Sequence, residues 1–202
     1  MDADLVIRGG TVVDGSGAPG RSADVAVSGG RIVGVGEGLE GRRELDASGQ
    51  VVAPGFIDIH THYDAQILWD ADLTPANWHG VTSVIMGNCG FSVAPLSDVP
   101  AVRDEVVKIF SFFEDIPEEP FRTELPWTWK TWSEYKQALT ANVKVPTNYG
   151  AFVGHIALRL AVLGLEAWER AATPDEIAKM VVLLRDALDA GAMGMSSNLM
   201  DH

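Results

Sequence analysis

A pair of histidines separated by one residue is the first feature of the sequence that could do chemistry. His60 and His62 follow an apolar run in the segment GFIDIHTHYD, residues 55–64. The run predicts a strand that is buried on both faces, and residues two apart in a strand point to the same side. Neutral imidazole binds zinc and similar divalent ions. The pair therefore fits either a metal site or two polar side chains at the end of a strand.

A single cysteine follows a second apolar run. Cys89 lies in the segment WHGVTSVIMGNCGFSVAP, residues 78–95, after a stretch rich in β-branched residues. Taken alone, such a cysteine fits a small buried hydrophobic side chain as well as a metal ligand. Because the chain has one cysteine, an internal disulfide framework is excluded.

Different patterns before and after residue 54 predict two domains. Residues 1–54 contain short strand patterns punctuated by glycine, including a hairpin that turns at Ser28-Gly29-Gly30, and they predict a small β domain. From residue 55 to residue 202, four strand patterns alternate with helical patterns. This order predicts parallel strands joined by crossover helices, which is the organisation of an α/β fold.

Local signals also place several of the connecting helices. Thr74-Pro75 fits the start of a short helix, with the threonine as its N-cap. Residues 102–132 are aromatic and predict an insertion packed over the rim of the sheet rather than a part of it. Two further helices begin with a capping box, formed by the pairs Thr131–Glu134 and Thr173–Glu176.

The composition excludes several classes of partner. The chain has 202 residues, of which 47% are hydrophobic, and a formal net charge of -13, which disfavours binding to nucleic acid. No apolar run reaches the roughly 18 residues of a membrane span, and the first residues lack a secretory pattern. The sequence therefore predicts a cytoplasmic protein without a nucleic-acid or membrane partner. Its oligomeric state stays open.

Two segments resemble a known family. VVAPGFIDIHTHYD resembles the first metal-binding strand of the amidohydrolase superfamily, and GVTSVIMGNCGFSVAP resembles the N-acyl-D-amino-acid deacylases. In that group a cysteine thiolate ligates the metal where many relatives use a carboxylated lysine. The resemblance implies that His60, His62 and Cys89 bind zinc, as one or two divalent ions. It also implies that residues 55–202 form an incomplete (β/α)8 TIM barrel, about its first half, preceded by a small β-sandwich-like domain at 1–54.

The same resemblance implies an activity and its alternatives. It implies metal-dependent hydrolysis of the linear amide bond of a small-molecule N-acyl-D-amino acid. The general-base aspartate and further histidine ligands are expected beyond residue 202, so the chain is predicted to be an N-terminal portion that is inactive alone. A cyclic-amide hydrolase of the hydantoinase or dihydroorotase type is an alternative that Cys89 disfavours. A non-catalytic metal-binding or scaffold member is another, which the presence of all three ligands disfavours.

Several other residues fit both a functional and a structural role. His155 follows a strand pattern and fits either a residue that lines a pocket or a structural histidine, and the structural role is favoured. His79 lies at the end of a predicted helix and is interpreted as structural. Asp58 and Asp64 fit either the orientation of the two metal-site histidines or the capping of turns. The end of the chain, Ser196 to His202, departs from the Ser-Thr-Gly-Leu of many relatives. Three aromatic residues fit core packing better than a wall of the site: Trp127, Trp129 and Trp132.

Overall fold

The computed structural model describes residues 3–198. The chain divides into two compact units, with the boundary between Gly55 and Phe56. The strands of the first unit are β1 (Leu5–Val12), β2 (Arg21–Ser28), β3 (Arg31–Gly36), β4 (Glu44–Asp46) and β5 (Val51–Val52). The strands of the second unit are β6 (Phe56–Asp58), β7 (Val81–Met86), β8 (Asn148–Ala151), β9 (Val153–Gly154) and β10 (Met195–Ser196).

All helices of the described part of the chain lie in the second unit. The α-helices are α1 (Pro100–Glu114), α2 (Glu118–Thr123), α3 (Trp132–Asn142), α4 (His155–Leu163) and α5 (Pro174–Ala190). Three short 3-10 helices span Gln66–Leu68, Ala76–His79 and Gly164–Trp168. Within residues 3–198, none of these helices combines the length and the apolarity that a membrane span requires.

The first unit is a five-stranded mixed sheet. β1 pairs antiparallel with β2 and parallel with β4 and β5, while β3 pairs antiparallel with β2. The predicted hairpin is confirmed, because Ser28 pairs with Arg31 across Gly29 and Gly30. Both glycines have positive φ angles, 56° and 73°, which glycine adopts without steric cost.

Small apolar clusters lie on opposite faces of this sheet. Val6 pairs with Ala26, and both belong to a cluster with Ala3, whereas the next residue, Ile7, packs against a second cluster around Val25. Neighbouring residues of a strand point to opposite faces, so each cluster occupies one side. Each side therefore buries only a few small residues.

Parallel pairing dominates the second unit, as the sequence predicted. β6, β7 and β8 form a parallel sheet in that order, and β9 pairs parallel with β10. The third predicted strand is divided between the two sheets. Phe152 separates β8 from β9, and its amide N–H still donates to the carbonyl of Met86 at 2.9 Å.

The strand β6 was predicted to be buried on both faces, but its apolar side chains are exposed. β6 ends at Asp58, and Phe56, Ile57 and Ile59 are 68%, 67% and 71% exposed. Among the described residues, β6 pairs with β7 alone and is therefore an edge strand. The prediction of burial was wrong because apolar composition does not specify what covers a strand.

Helix starts follow local side-chain chemistry. Both capping boxes are confirmed, at Thr131 before α3 and at Thr173 before α5. The predicted cap at Thr74 is wrong: Pro75 precedes the 3-10 helix, and the hydroxyl of Thr74 donates to the Asp70 carboxylate at 2.7 Å. An anionic acceptor nearby competes with the helix N-terminus for that hydroxyl.

The aromatic segment 102–132 forms helices α1 and α2, and no strand. It contributes to the main core of the second unit, in which Trp129, Phe121 and Phe110 are at most 1% exposed. The indole N–H of Trp129 donates to the carbonyl of Val93 at 2.8 Å, so its polar atom is satisfied. Core packing is therefore confirmed for Trp129.

Candidate metal centre

The two histidines lie just after β6 rather than on it. The expectation that they share one face of a strand is wrong, because the strand ends at Asp58 and His60 and His62 lie in the following loop. Their rings nevertheless converge, with centroids 5.6 Å apart. His60 is exposed, whereas the side chain of His62 is 10% exposed.

Cys89 reaches the same place from the neighbouring strand. It follows β7, which is parallel to β6, and parallel strands place their carboxyl ends at one edge of a sheet. The loop turns sharply, because Gly87, Cys89 and Gly90 have φ angles of 77°, 53° and 78°. This turn places the sulfur of Cys89 3.0 Å from Nε2 of His60.

The donor atoms fit a divalent metal ion. One donor atom from each of His60, His62 and Cys89 lies within 4.8 Å of the others. Bond lengths of about 2.0–2.3 Å to a tetrahedral zinc ion place neighbouring nitrogen and sulfur ligands roughly 3.3–3.6 Å apart. In addition, Nδ1 of His62 is buried without a hydrogen-bond partner within residues 3–198, which is unusual for a polar atom.

The two donor loops are joined by hydrogen bonds to one carbonyl. The backbone N–H and the hydroxyl of Thr61 both donate to the carbonyl of Ile85, at 3.0 and 2.8 Å. The amide of Asn88 donates to the same carbonyl at 2.9 Å and to the carbonyl of Thr61 at 3.2 Å. These bonds fix the histidine loop relative to the cysteine loop before any ligand binds.

Asp64 strengthens the same connection from a buried position. Its carboxylate accepts from the backbone N–H of Gly87 at 3.0 Å, and the side chain is removed from solvent, with the residue 1% exposed. Burial raises the pKa of Asp64 to about 7. The hydroxyl of Tyr135 donates to the backbone carbonyl of Asp64 at 2.7 Å.

Neither aspartate of the histidine segment hydrogen-bonds to an imidazole in the described structure. Asp58 accepts from the backbone N–H of His60 at 3.1 Å, and Asp64 holds the cysteine loop as described above. Of the two roles that the sequence left open for them, the structure thus shows hydrogen bonds to the backbone for both.

Two residues near the end of the described chain hold the cysteine loop. The hydroxyl of Ser196 accepts from the N–H of Gly90 at 3.0 Å and donates to the carbonyl of Gly87 at 2.5 Å. The amide of Asn198 donates to the carbonyl of Cys89 at 2.6 Å. They belong to the segment that departs from the common family pattern, and residues 199–202 lie outside the described structure.

A carboxylate that the sequence did not indicate also reaches the cluster. Oε1 of Glu114, the last residue of α1, lies 3.3 Å from Nε2 of His62, and its side chain is 25% exposed. Burial raises the pKa of Glu114, and burial together with the neighbouring His60 lowers the pKa of His62 to about 4. No metal-ligand spacing in the sequence includes Glu114, so only the packing of α1 reveals its approach to His62.

The two other histidines within residues 3–198 do not belong to the three-residue group. His155 begins α4, and the N–H of the next residue, Ile156, donates to the carbonyl of Gly90 at 2.9 Å. Partial burial, with the charge of Arg159, lowers the pKa of His155. His79 is exposed at the end of a 3-10 helix.

Parallel strands with two histidines and a cysteine at their carboxyl ends define an α/β protein with a candidate metal centre. The chain belongs to the amidohydrolase family, whose sequence model matches residues 43–202. The match includes both loops of the candidate centre.

The chain is similar to several deacylases. It is 40% identical over 198 residues to the D-aminoacylase of Alcaligenes xylosoxydans xylosoxydans, covering 96% of this chain and 37% of the relative. It is 41% identical over 197 residues to the N-acyl-D-aspartate deacylase of the same organism, covering 96% and 36%. The chain thus spans little more than a third of the length of these relatives.

A solved structure shows the same fold. The N-acyl-D-glutamate deacylase of Bordetella bronchiseptica, determined with zinc and a phosphonate inhibitor that mimics the tetrahedral intermediate, is 36% identical. It superposes with a TM-score of 0.78 over 98% of this chain and 39% of the relative. The chain therefore shares its mixed α/β fold with a metalloenzyme of the family.

Proposed function

We propose that the protein is a zinc-dependent amidohydrolase that cleaves the linear amide bond of small-molecule N-acyl-D-amino acids. The observation that carries this proposal is the convergence of Cys89 on His60 and His62. A cysteine in this donor set is the feature that links the chain to the N-acyl-D-amino-acid deacylases. The similarity to deacylases over 96% of the chain supports the same substrate class.

His60, His62 and Cys89 are the proposed ligands of one or two zinc ions. When bound, zinc supplies a hydrolytic nucleophile from water near neutral pH and polarises the acyl carbonyl. The exposed His60 lies on the open side of the cluster, where a small substrate can approach. The largely buried side chain of His62 and the hydrogen-bonded loop of Cys89 keep the donors in place, so little reorganisation is required on binding.

The finer architecture is part of the proposal. Residues 55–202 form part of a (β/α)8 barrel, and residues 1–54 form a β-sandwich-like domain. The parallel order β6-β7-β8 with intervening helices supports the barrel, as does the location of the candidate centre at strand ends. Apolar clusters on both faces of the first sheet support the second assignment.

Zinc content tests the metal centre directly. The 202-residue chain and its Cys89→Ala variant are purified in parallel, and zinc is measured by elemental analysis after removal of excess metal. We expect near-stoichiometric zinc in the wild-type chain and a large loss in the variant, because the thiolate is the strongest donor of the set. Folded wild-type chain without zinc would refute the metal centre.

The substrate class needs a second experiment. This chain replaces the matching segment of the Alcaligenes D-aminoacylase, and the chimera is assayed for amine release from N-acetyl-D-amino acids, their L-enantiomers and a hydantoin. We expect zinc-dependent hydrolysis of the D-substrates that Cys89→Ala abolishes. A folded, zinc-loaded chimera that cleaves the hydantoin instead would favour the cyclic-amide alternative.

A further inference from the structure

Glu114 occupies a position where a carboxylate is electrostatically unfavourable. Its side chain is three-quarters buried, and burial of an anion without a cation is costly. It ends helix α1, whose last turn contains no basic residue, and the C-terminus of a helix carries partial negative charge. Both effects destabilise the ionised form of Glu114.

No lysine or arginine compensates this charge in the described part of the chain. The other two acidic residues of α1 itself are paired, since Glu105 contacts Lys108 and Asp104 contacts Arg122. Oε1 of Glu114 instead lies 3.3 Å from Nε2 of His62, whose imidazole is neutral at pH 7 because its pKa is lowered to about 4. The carboxylate therefore faces the metal-ligand cluster rather than a permanent cation.

The ring of His62 is held between Glu114 and two aromatic side chains. The centroids of Phe91 and Phe110 lie 6.1 and 6.3 Å from the centroid of the imidazole. Phe110 is one turn before Glu114 on α1 and is 1% exposed, so the helix that carries the carboxylate is anchored in the core. Core packing thus fixes the helix that carries Glu114, while the hydrogen bonds from Thr61 to the carbonyl of Ile85 hold the loop that carries His62.

A divalent ion would supply the missing positive charge. Two neutral imidazoles and one thiolate carry a single negative charge, so an ion of charge +2 bound by them leaves one positive charge uncompensated. We propose that Glu114 is a positioning residue of the metal centre, which holds His62 and neutralises the ion bound by His60, His62 and Cys89. This inference rests on the metal centre of the proposed function.

Zinc affinity measured by competition with a chromogenic chelator tests the inference. Glu114→Gln keeps the shape and removes the charge, Glu114→Asp keeps the charge and shortens the side chain, and Glu105→Gln is the control. Glu105 lies on the same helix and its side chain is 26% exposed, against 25% for Glu114. We expect Glu114→Gln to weaken zinc binding about ten- to hundredfold, Glu114→Asp to weaken it less, and the control to match wild type.

The outcomes separate this inference from the proposed function. If wild type binds zinc and Glu114→Gln binds it equally well, the role of Glu114 is refuted while the metal centre stands. If Glu114→Asp loses more affinity than Glu114→Gln, shape and not charge matters, and the inference is again overturned. Wild type that binds no zinc overturns the metal centre and the inference together.

A second measurement needs no variant, which covers the case that Glu114→Gln does not fold. Carboxyl labelling with a carbodiimide and an amine is followed by mass spectrometry on wild type, with zinc and with chelator. We expect zinc to protect Glu114 and to leave the labelling of Glu105 unchanged. Equal labelling of Glu114 under both conditions would refute the inference.

Discussion

Replacing Asp64 by asparagine should stabilise the metal-free protein at neutral and alkaline pH. Burial raises the pKa of Asp64 from 3.8 to about 7 in the folded chain. Between these pH values the folded state holds a proton that the unfolded state has released. The free energy of unfolding therefore falls as pH rises through this window, by about 1.4 kcal/mol per pH unit.

The structure sets the size of the effect. Asp64 is 1% exposed, so solvent screens its charge little, and the contribution lost across the window is at most about 4 kcal/mol. Asparagine is neutral at every pH, and its side-chain oxygen can accept from the N–H of Gly87 as the carboxylate does at 3.0 Å. The variant thus keeps the link to the cysteine loop without the ionisable group.

Urea unfolding of both proteins in the presence of a chelator, at intervals from pH 4 to pH 8, measures this effect. The difference between the two free energies of unfolding should be small near pH 4 and should grow in favour of Asp64→Asn toward pH 8. Other titrating groups are common to both proteins and cancel in the difference. If the difference between the two free energies of unfolding stayed constant with pH, the raised pKa of Asp64 would be contradicted.

Three further predictions concern stability. Tyr135→Phe removes the hydroxyl that donates to the carbonyl of Asp64 at 2.7 Å and should cost about 1–2 kcal/mol in urea unfolding; an unchanged midpoint would refute it. Thr173→Ala removes a capping box and should cost about 1 kcal/mol, with a loss of helical circular dichroism on mild heating; no change would argue against the cap. Gly154→Ala should prevent folding, because a Cβ at this position would lie 2.3 Å from the carbonyl oxygen of Gly90. Gly36→Ala is the control, because a Cβ at Gly36 would have no atom within 4 Å. A soluble, native-like Gly154→Ala protein would contradict the predicted clash.

Local patterns predicted much of the architecture. The capping boxes at Thr131 and Thr173 and the hairpin at Gly29-Gly30 depend on neighbouring residues alone, so sequence patterns find them. Parallel pairing was also predictable, because strands that alternate with helices need crossover connections.

Long-range packing accounts for the features that the sequence did not reveal. Glu114 approaches His62 only because α1 packs against the core, and no spacing along the chain records that contact. The exposure of Ile57 and Ile59 was not predicted for a related reason, since an apolar side chain does not specify which other element packs against it. The spacing of His60 and His62 predicted that the two rings lie close together, and they do, although the loop after β6 and not the strand brings them together.

The left-handed backbone of Cys89 implies a conflict between folding and chemistry at that residue. A residue other than glycine costs roughly 1–2 kcal/mol at such a φ angle, here 53°, and glycine would remove this cost. Selection for a stable chain alone would favour glycine at this position, and the loop already contains glycine at Gly87 and Gly90. Cys89 therefore carries a backbone cost that glycine would not, and directed evolution for heat resistance without a metal-dependent screen would tend to discard it.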